Sequence, residues 1–110
     1  MLIVAVVFDF VPGGFDRIKE EILGAIENSR KEEGAQIYDW ALDITAPDRA
    51  IIFEVWDNQA ALDAHFTHPY MDTLVAALSA ANIRGDIKNY SAEIYDISGK
   101  RDMGFVLPTE

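Results

Sequence analysis

The chain has 110 residues, half of them hydrophobic, and a formal net charge of −10 from 19 acidic and 9 basic side chains. That length is one domain, the apolar fraction supports a core, and the acidic balance argues against a nucleic-acid surface and against docking on anionic lipid. There is no cysteine, which rules out disulfides, thiolate nucleophiles, iron–sulfur clusters and cysteine zinc sites; two histidines are few for a histidine-rich metal site.

The first residues, Met1-Leu2-Ile3-Val4-Ala5-Val6-Val7-Phe8, lack a basic leader and a cleavage-like site. They read as a strand rather than a signal peptide, no apolar run reaches membrane-span length, and the chain reads as cytoplasmic. Residues 2–10 form a continuous apolar run, the mark of a strand buried on both faces. Pro12-Gly13-Gly14 ends it. Residues 15–31 are predicted as a helix, with Phe15, Ile18, Ile22, Ala25, Ile26 and Ser29 on one face and Gly34 as the stop.

Residues 35–44 alternate, so that Gln36, Tyr38, Trp40 and Leu42 share one face of a second strand. Ala46-Pro47-Asp48 signals a turn, and residues 49–56 form a third strand, antiparallel to the second. Asp57-Asn58 supplies helix caps, Pro69 suits a first helical turn, and the apolar stripe Met71, Leu74, Val75, Leu78 runs on towards Gly85. Residues 86–97 form the last strand, and 98–110 read as a tail.

The order β-α-β-β-α-β predicts an α+β, ferredoxin-like domain over residues 1–97 with an antiparallel sheet. Helices cover one sheet face in this topology. Yet strand one is apolar on both sides, and Ile51, Phe53 and Val55 lie opposite Ile52 and Trp56 on strand three. An uncovered apolar face needs a partner. A homodimer with sheets face to face is therefore expected, since burial is worth about 25 cal/mol per Å².

The segment Trp56-Asp57-Asn58-Gln59-Ala60-Ala61-Leu62-Asp63-Ala64-His65-Phe66-Thr67-His68-Pro69-Tyr70-Met71 resembles the antibiotic biosynthesis monooxygenase family, especially its quinol-monooxygenase-like members. Lys31-Glu32-Glu33-Gly34 followed by Tyr38 is also similar to that family. The resemblance implies a dimeric α+β barrel. It also implies oxygenation of a small quinol, phenolic or polyketide-like aromatic substrate by O₂, without metal or flavin. In such chemistry the substrate anion itself donates an electron to O₂. The protein then supplies an apolar pocket, a proton acceptor and a hold on the anion. Where close relatives read Thr-Pro-His, this chain reads His68-Pro69-Tyr70. The haem-degrading branch has an Asn on the first strand, which is absent here.

The resemblance makes His65 the candidate proton acceptor or donor, and Tyr70 the group that orients a substrate oxygen. Tyr38, Trp40, Trp56 and Phe66 are expected to form the aromatic wall, with His68 beside them at a helix start. Plain packing competes with each of these roles. Glu54 and Asp39 are carboxylates in apolar strands, and act either as bases of raised pKa or as ion-pair partners of Arg49, Arg84 or Lys88. The alternative function is a non-catalytic dimer that binds a small hydrophobic metabolite, which needs the same pocket but no base.

Overall fold

The computed structural model describes residues 1–109. Its elements are β1 (Leu2–Phe10), α1 (Gly14–Arg17), α2 (Lys19–Ser29), β2 (Ala35–Asp43), β3 (Ala46–Trp56), α3 (Gln59–His65), α4 (Pro69–Ile83) and β4 (Ile87–Asp96). The strands form one antiparallel sheet in the order β2-β3-β1-β4, the ferredoxin-like arrangement. Among the described residues no helix is long and apolar enough to cross a membrane.

Register decides which side chains meet. Val4 pairs with Glu54, Val6 with Ile52 and Phe8 with Ala50, while Tyr38 pairs with Glu54 and Trp40 with Ile52. These residues face the helices. The alternate rows, Ile3–Val55–Ile37 and Val7–Ile51–Ala41, face away from them. Two buried clusters lie under the helices. One joins Phe10, Ile18, Ile22, Met71 and Leu74; the other joins Leu2, Tyr38, Trp56 and Leu62.

Three local features depart from the sequence reading. The expected helix over 15–31 is two helices, because the backbone leaves helical geometry at Ile18 (φ −121°, ψ 15°), a residue that is buried. The second of them stops at Ser29 rather than Lys31. Tight turns then follow, with Lys31 N–H donating to the Asn28 carbonyl and Glu32 N–H to that of Ser29, each at 3.1 Å. The β2–β3 turn is Ile44-Thr45, not Ala46-Pro47-Asp48. Asp43 Oδ1 accepts from Thr45 N–H (2.8 Å) and Thr45 Oγ1 (2.6 Å), and this local bonding closes the turn two residues earlier. Pro47 falls where the register slips at the start of β3, so its missing N–H costs no ladder bond.

Gly34 is required twice over. Its φ is +86°, and a Cβ there would lie 2.6 Å from Cβ of Ala61. Its carbonyl accepts from Asp57 N–H at 2.9 Å, so the α2–β2 loop is fastened to the start of the α3 region. Asn58 caps α3 by accepting from Ala61 N–H at 2.9 Å, as its side chain predicts, and Pro69 opens α4.

Candidate active site

Glu32 is the centre of the polar cluster. Because α2 ends at Ser29, the following tight turns carry Glu32 inward, and its side chain is only 7% exposed. Oε2 accepts from Nδ1 of His65 at 2.7 Å and from the Tyr70 hydroxyl. Oε1 has a longer contact, 3.3 Å to Nε2 of His68. The three partners come from the last turn of α3, the α3–α4 junction and the first turn of α4. Pro69 and the short α3–α4 connection bring them to one carboxylate.

A cleft of about 420 Å³ opens beside this carboxylate, lined by Glu32, His68, Tyr70, Lys31, Asn28, Glu33 and Ala64. His65 does not line it. It is 1% exposed, with its ring centroid 4.6 Å from that of Trp56 and 5.4 Å from that of Tyr38. Burial lowers its pKa below the usual histidine value, against the opposing hydrogen bond and charge of Glu32. A neutral ring whose Nδ1–H donates a hydrogen bond to a carboxylate holds that carboxylate in place. Burial and then Glu32 push the Tyr70 phenol well above its ordinary value, so it remains a donor. Tyr38 is pushed up to about 12, chiefly by burial.

Glu54 is the second buried carboxylate. It faces the helices from β3, and its Oε1 accepts from the indole Nε1 of Trp56 at 2.9 Å. Burial, aided by the charge of Glu32 and opposed by that indole, raises its pKa to about 7. Two of the cation partners considered for it are placed elsewhere. Arg49 lies 4.0 Å from Asp43, and Arg84 is 3.1 Å from Asp86. Asp39 does form an ion pair, but with Arg30 (2.9 Å), and it is more than half exposed. The early end of α2 places Arg30 beside β2, where it also donates to the Tyr38 carbonyl at 3.0 Å.

None of the four expected wall aromatics lines this cleft, though Tyr38, Trp56 and Phe66 pack around the His65 ring and Trp40 Nε1 donates to the Tyr38 hydroxyl at 3.4 Å. Tyr38 and Trp56 are buried in the second core cluster. Trp40 is half-buried and stacks on Phe8 (6.0 Å, 15°), beside a separate cavity of about 130 Å³ reached by Phe15 and Ile26. Phe66 is 56% exposed, so it is not a core residue; its ring meets that of His65 edge-on (5.0 Å, 64°). It follows the last residue of α3, where the chain turns outward. His68 is partly exposed at the N-cap position of α4, makes no capping bond there, and stacks on Tyr70 (5.1 Å, 9°).

Sequence reasoning passed over two members of the cluster. Glu32 sits in a charged run that reads as a solvated helix end, and no local signal turns it inward. Ser29 had a signal, being a polar residue on an apolar helical stripe. It is fully buried, lies beside the Tyr38 and Tyr70 hydroxyls, and its Oγ lacks a hydrogen-bond partner among the described residues.

Comparison with known proteins agrees with this architecture. The family model described as antibiotic biosynthesis monooxygenase matches residues 1–77. The uncharacterised protein sll1783 of Synechocystis is 43% identical over 61 residues, a match covering 52% of this chain and 42% of that protein's length. An antibiotic biosynthesis monooxygenase candidate from Deinococcus radiodurans superposes with a TM-score of 0.79 at 19% identity, covering 94% of this chain and 98% of its own. One from Nitrosomonas europaea gives 0.77 at 17% identity, over 90% and 100%. At such identities these two structures are likenesses of fold.

Proposed function

This chain belongs to the antibiotic biosynthesis monooxygenase family, and we propose that it oxygenates a small quinol or phenolic substrate in the cleft beside Glu32, with no cofactor. The observation that carries this reading is the division of labour on one carboxylate. Oε2 is pinned by His65 and Tyr70, while Oε1 holds only His68 at the cleft. In this reading the substrate hydroxyl gives its proton to Nδ1 of His68. Glu32 holds the opposite N–H and stabilises the imidazolium that forms. His65 is then a positioning residue, one layer below the cleft, rather than the proton acceptor itself.

The remaining steps belong to the substrate. Its anion passes one electron to O₂, and the radical pair closes a C–O bond to give a peroxide anion, which takes back the proton held by the His68 imidazolium. Where the attacked carbon carries a hydrogen, the hydroperoxide so formed loses water as the C–H and O–O bonds break and leaves a carbonyl.

O₂ uptake by the purified protein against quinols and polycyclic phenols, with a chelator present, tests the proposal. Uptake should fall by about 10²-fold in His68→Ala and by a similar factor in His65→Ala. Unchanged uptake in both variants would remove the base and its support together. The alternative, a binding protein without turnover, draws on Tyr70, which replaces the histidine of close relatives with a phenol held firmly protonated. Tight binding of a panel member without O₂ uptake would favour it.

The reading includes a homodimer formed through the face of the sheet turned away from the helices. Phe53 and Ile51, both about 40% exposed, stand on that face beside the Ile3, Ala5 and Val7 row. Phe53→Asp should convert the dimer to a monomer in size-exclusion chromatography with light scattering. A parent protein that is monomeric at micromolar concentration would defeat the dimer.

A further inference from the structure

Glu54 has no role in the proton transfer just described, yet it is buried in the same cluster. It projects from β3 onto the helix-covered face, 7% exposed. Its neighbours come from every element packed around it. β1 offers Val4, which carries no charge, and β2 offers Tyr38, its cross-strand partner. From α3 comes His65, whose ring contacts those of both Tyr38 and Trp56. The α2–β2 loop contributes Glu32, whose charge acts on Glu54 and on Tyr38 alike. Tyr70 of α4 donates to Glu32, and Ser29 of α2 lies beside the Tyr38 and Tyr70 hydroxyls. Arg30, on that same loop, is taken up by Asp39 and the Tyr38 carbonyl.

Two buried carboxylates therefore share one cluster, and among the described residues no lysine or arginine forms an ion pair with either: Lys31, at the cleft beside Glu32, lies 3.8 Å from Glu27 instead. Three donors converge on Glu32 and one on Glu54. Hydrogen bonds to the ionised form favour ionisation, and Glu54 receives a single one, so its burial leaves the proton on Glu54.

We infer that Glu54 is a positioning residue that works as the proton-bearing half of a carboxylate pair, keeping the site at one negative charge so that an anionic substrate can form beside Glu32. The inference rests on the phenolic reading of the cleft. An ionised Glu54 adds a second negative charge in a region of low dielectric and disfavours a phenolate there. Gln at this position keeps the acceptor for Trp56 Nε1 and stays neutral at every pH. The pH dependence expected from the pair is a loss of activity above neutrality that follows the ionisation of Glu54, whose burial places that event at about 7.

Two measurements test this. The first is a carbon-detected NMR titration of the Glu carboxyls, which needs no substrate. Glu54 should titrate near neutrality in the parent protein. In Glu32→Gln its midpoint should fall by about one pH unit, because a like charge has been removed. Should Glu32→Gln not fold, Trp56→Phe gives the converse: loss of the indole donor should raise the midpoint. A Glu54 midpoint in the ordinary carboxylate range, or one unmoved by these changes, overturns the inference whatever the protein catalyses. The second is kcat/KM against pH for a phenolic substrate. The alkaline fall should be present in the parent and absent in Glu54→Gln. An identical alkaline limb in both overturns the proposed role, while absence of all turnover in the parent counts against the functional reading and leaves the NMR result to decide the pair.

Discussion

Glu32→Ala should lower O₂-dependent turnover by about 10²-fold or more and destabilise the fold by about 2–4 kcal/mol. The two effects have one origin. Without the carboxylate, the Nδ1–H of His65 and the hydroxyl of Tyr70 lose their acceptor. His65 is 1% exposed, so water does not readily replace the lost partner. An unsatisfied buried donor costs about 1–3 kcal/mol, and bonds to a charged acceptor are the stronger ones. His68 also loses the group that holds its Nε2 and would support its imidazolium. Urea denaturation and O₂ uptake on the same preparation check both halves. A variant as stable as the parent would mean that burying the charge costs as much as its three donors return, as happens in some buried ion pairs. A variant with full turnover would remove Glu32 from the mechanism.

The second large effect runs the other way. Glu54→Gln should stabilise the protein by about 2–4 kcal/mol at pH 8 and leave it unchanged near pH 4. Glu54 binds its proton more tightly in the folded chain, at about 7 against 4.5 for an ordinary glutamate. Between those values the folded state holds more protons than the unfolded state, so stability is lost as pH rises through the window. Above it the penalty is constant, because the folded chain must then bury a charge. Glutamine carries no such charge and keeps its oxygen for the Trp56 indole.

His65 contributes with the opposite sign. Its proton affinity is lowered by burial, so its contribution to stability is lost as pH falls below the ordinary histidine value of 6.5. Thermal melts of parent and Glu54→Gln across pH 4–9 should therefore diverge as pH rises. Parallel curves across that range would show that Glu54 does not titrate in the window.

Much of this chain could be read in advance because its signals are local. The continuous apolar run of β1, the alternation in β2, the capping Asn58, the helix-opening Pro69 and the stop at Gly85 each act through backbone geometry within a few residues. Together they determine a ferredoxin-like order of strands and helices. Register follows from the apolar pattern, since a slip of one residue would turn Ile52 and Trp56 away from the helices and Phe53 towards them. The motif from Trp56 to Met71 located His65, His68 and Tyr70, which do meet in space.

Partner choice across long separations was not legible. Glu32 meets His65 and Tyr70 across 33 and 38 residues of sequence. That meeting depends on where α2 ends, on the positive φ of Gly34 and on its close approach to Ala61. A two-residue change in the helix end swings Glu32 from solvent into the cluster, and periodicity does not resolve helix ends that finely. The same limit explains Phe66. Spacing placed it next to His65, but the end of α3 turns it outward. It explains Glu54 as well, for the sequence left this carboxylate as a base or an ion-pair partner, and the choice of Trp56 Nε1 as its donor is a property of packing. By itself the sequence determined the fold, the apolar character of the outer sheet face and the motif that carries the histidines, because these arise from local geometry and side-chain period. Only the tertiary structure decided that a loop glutamate gathers two histidines and a tyrosine and that a strand glutamate is buried with one indole donor, because each outcome depends on which groups packing brings together.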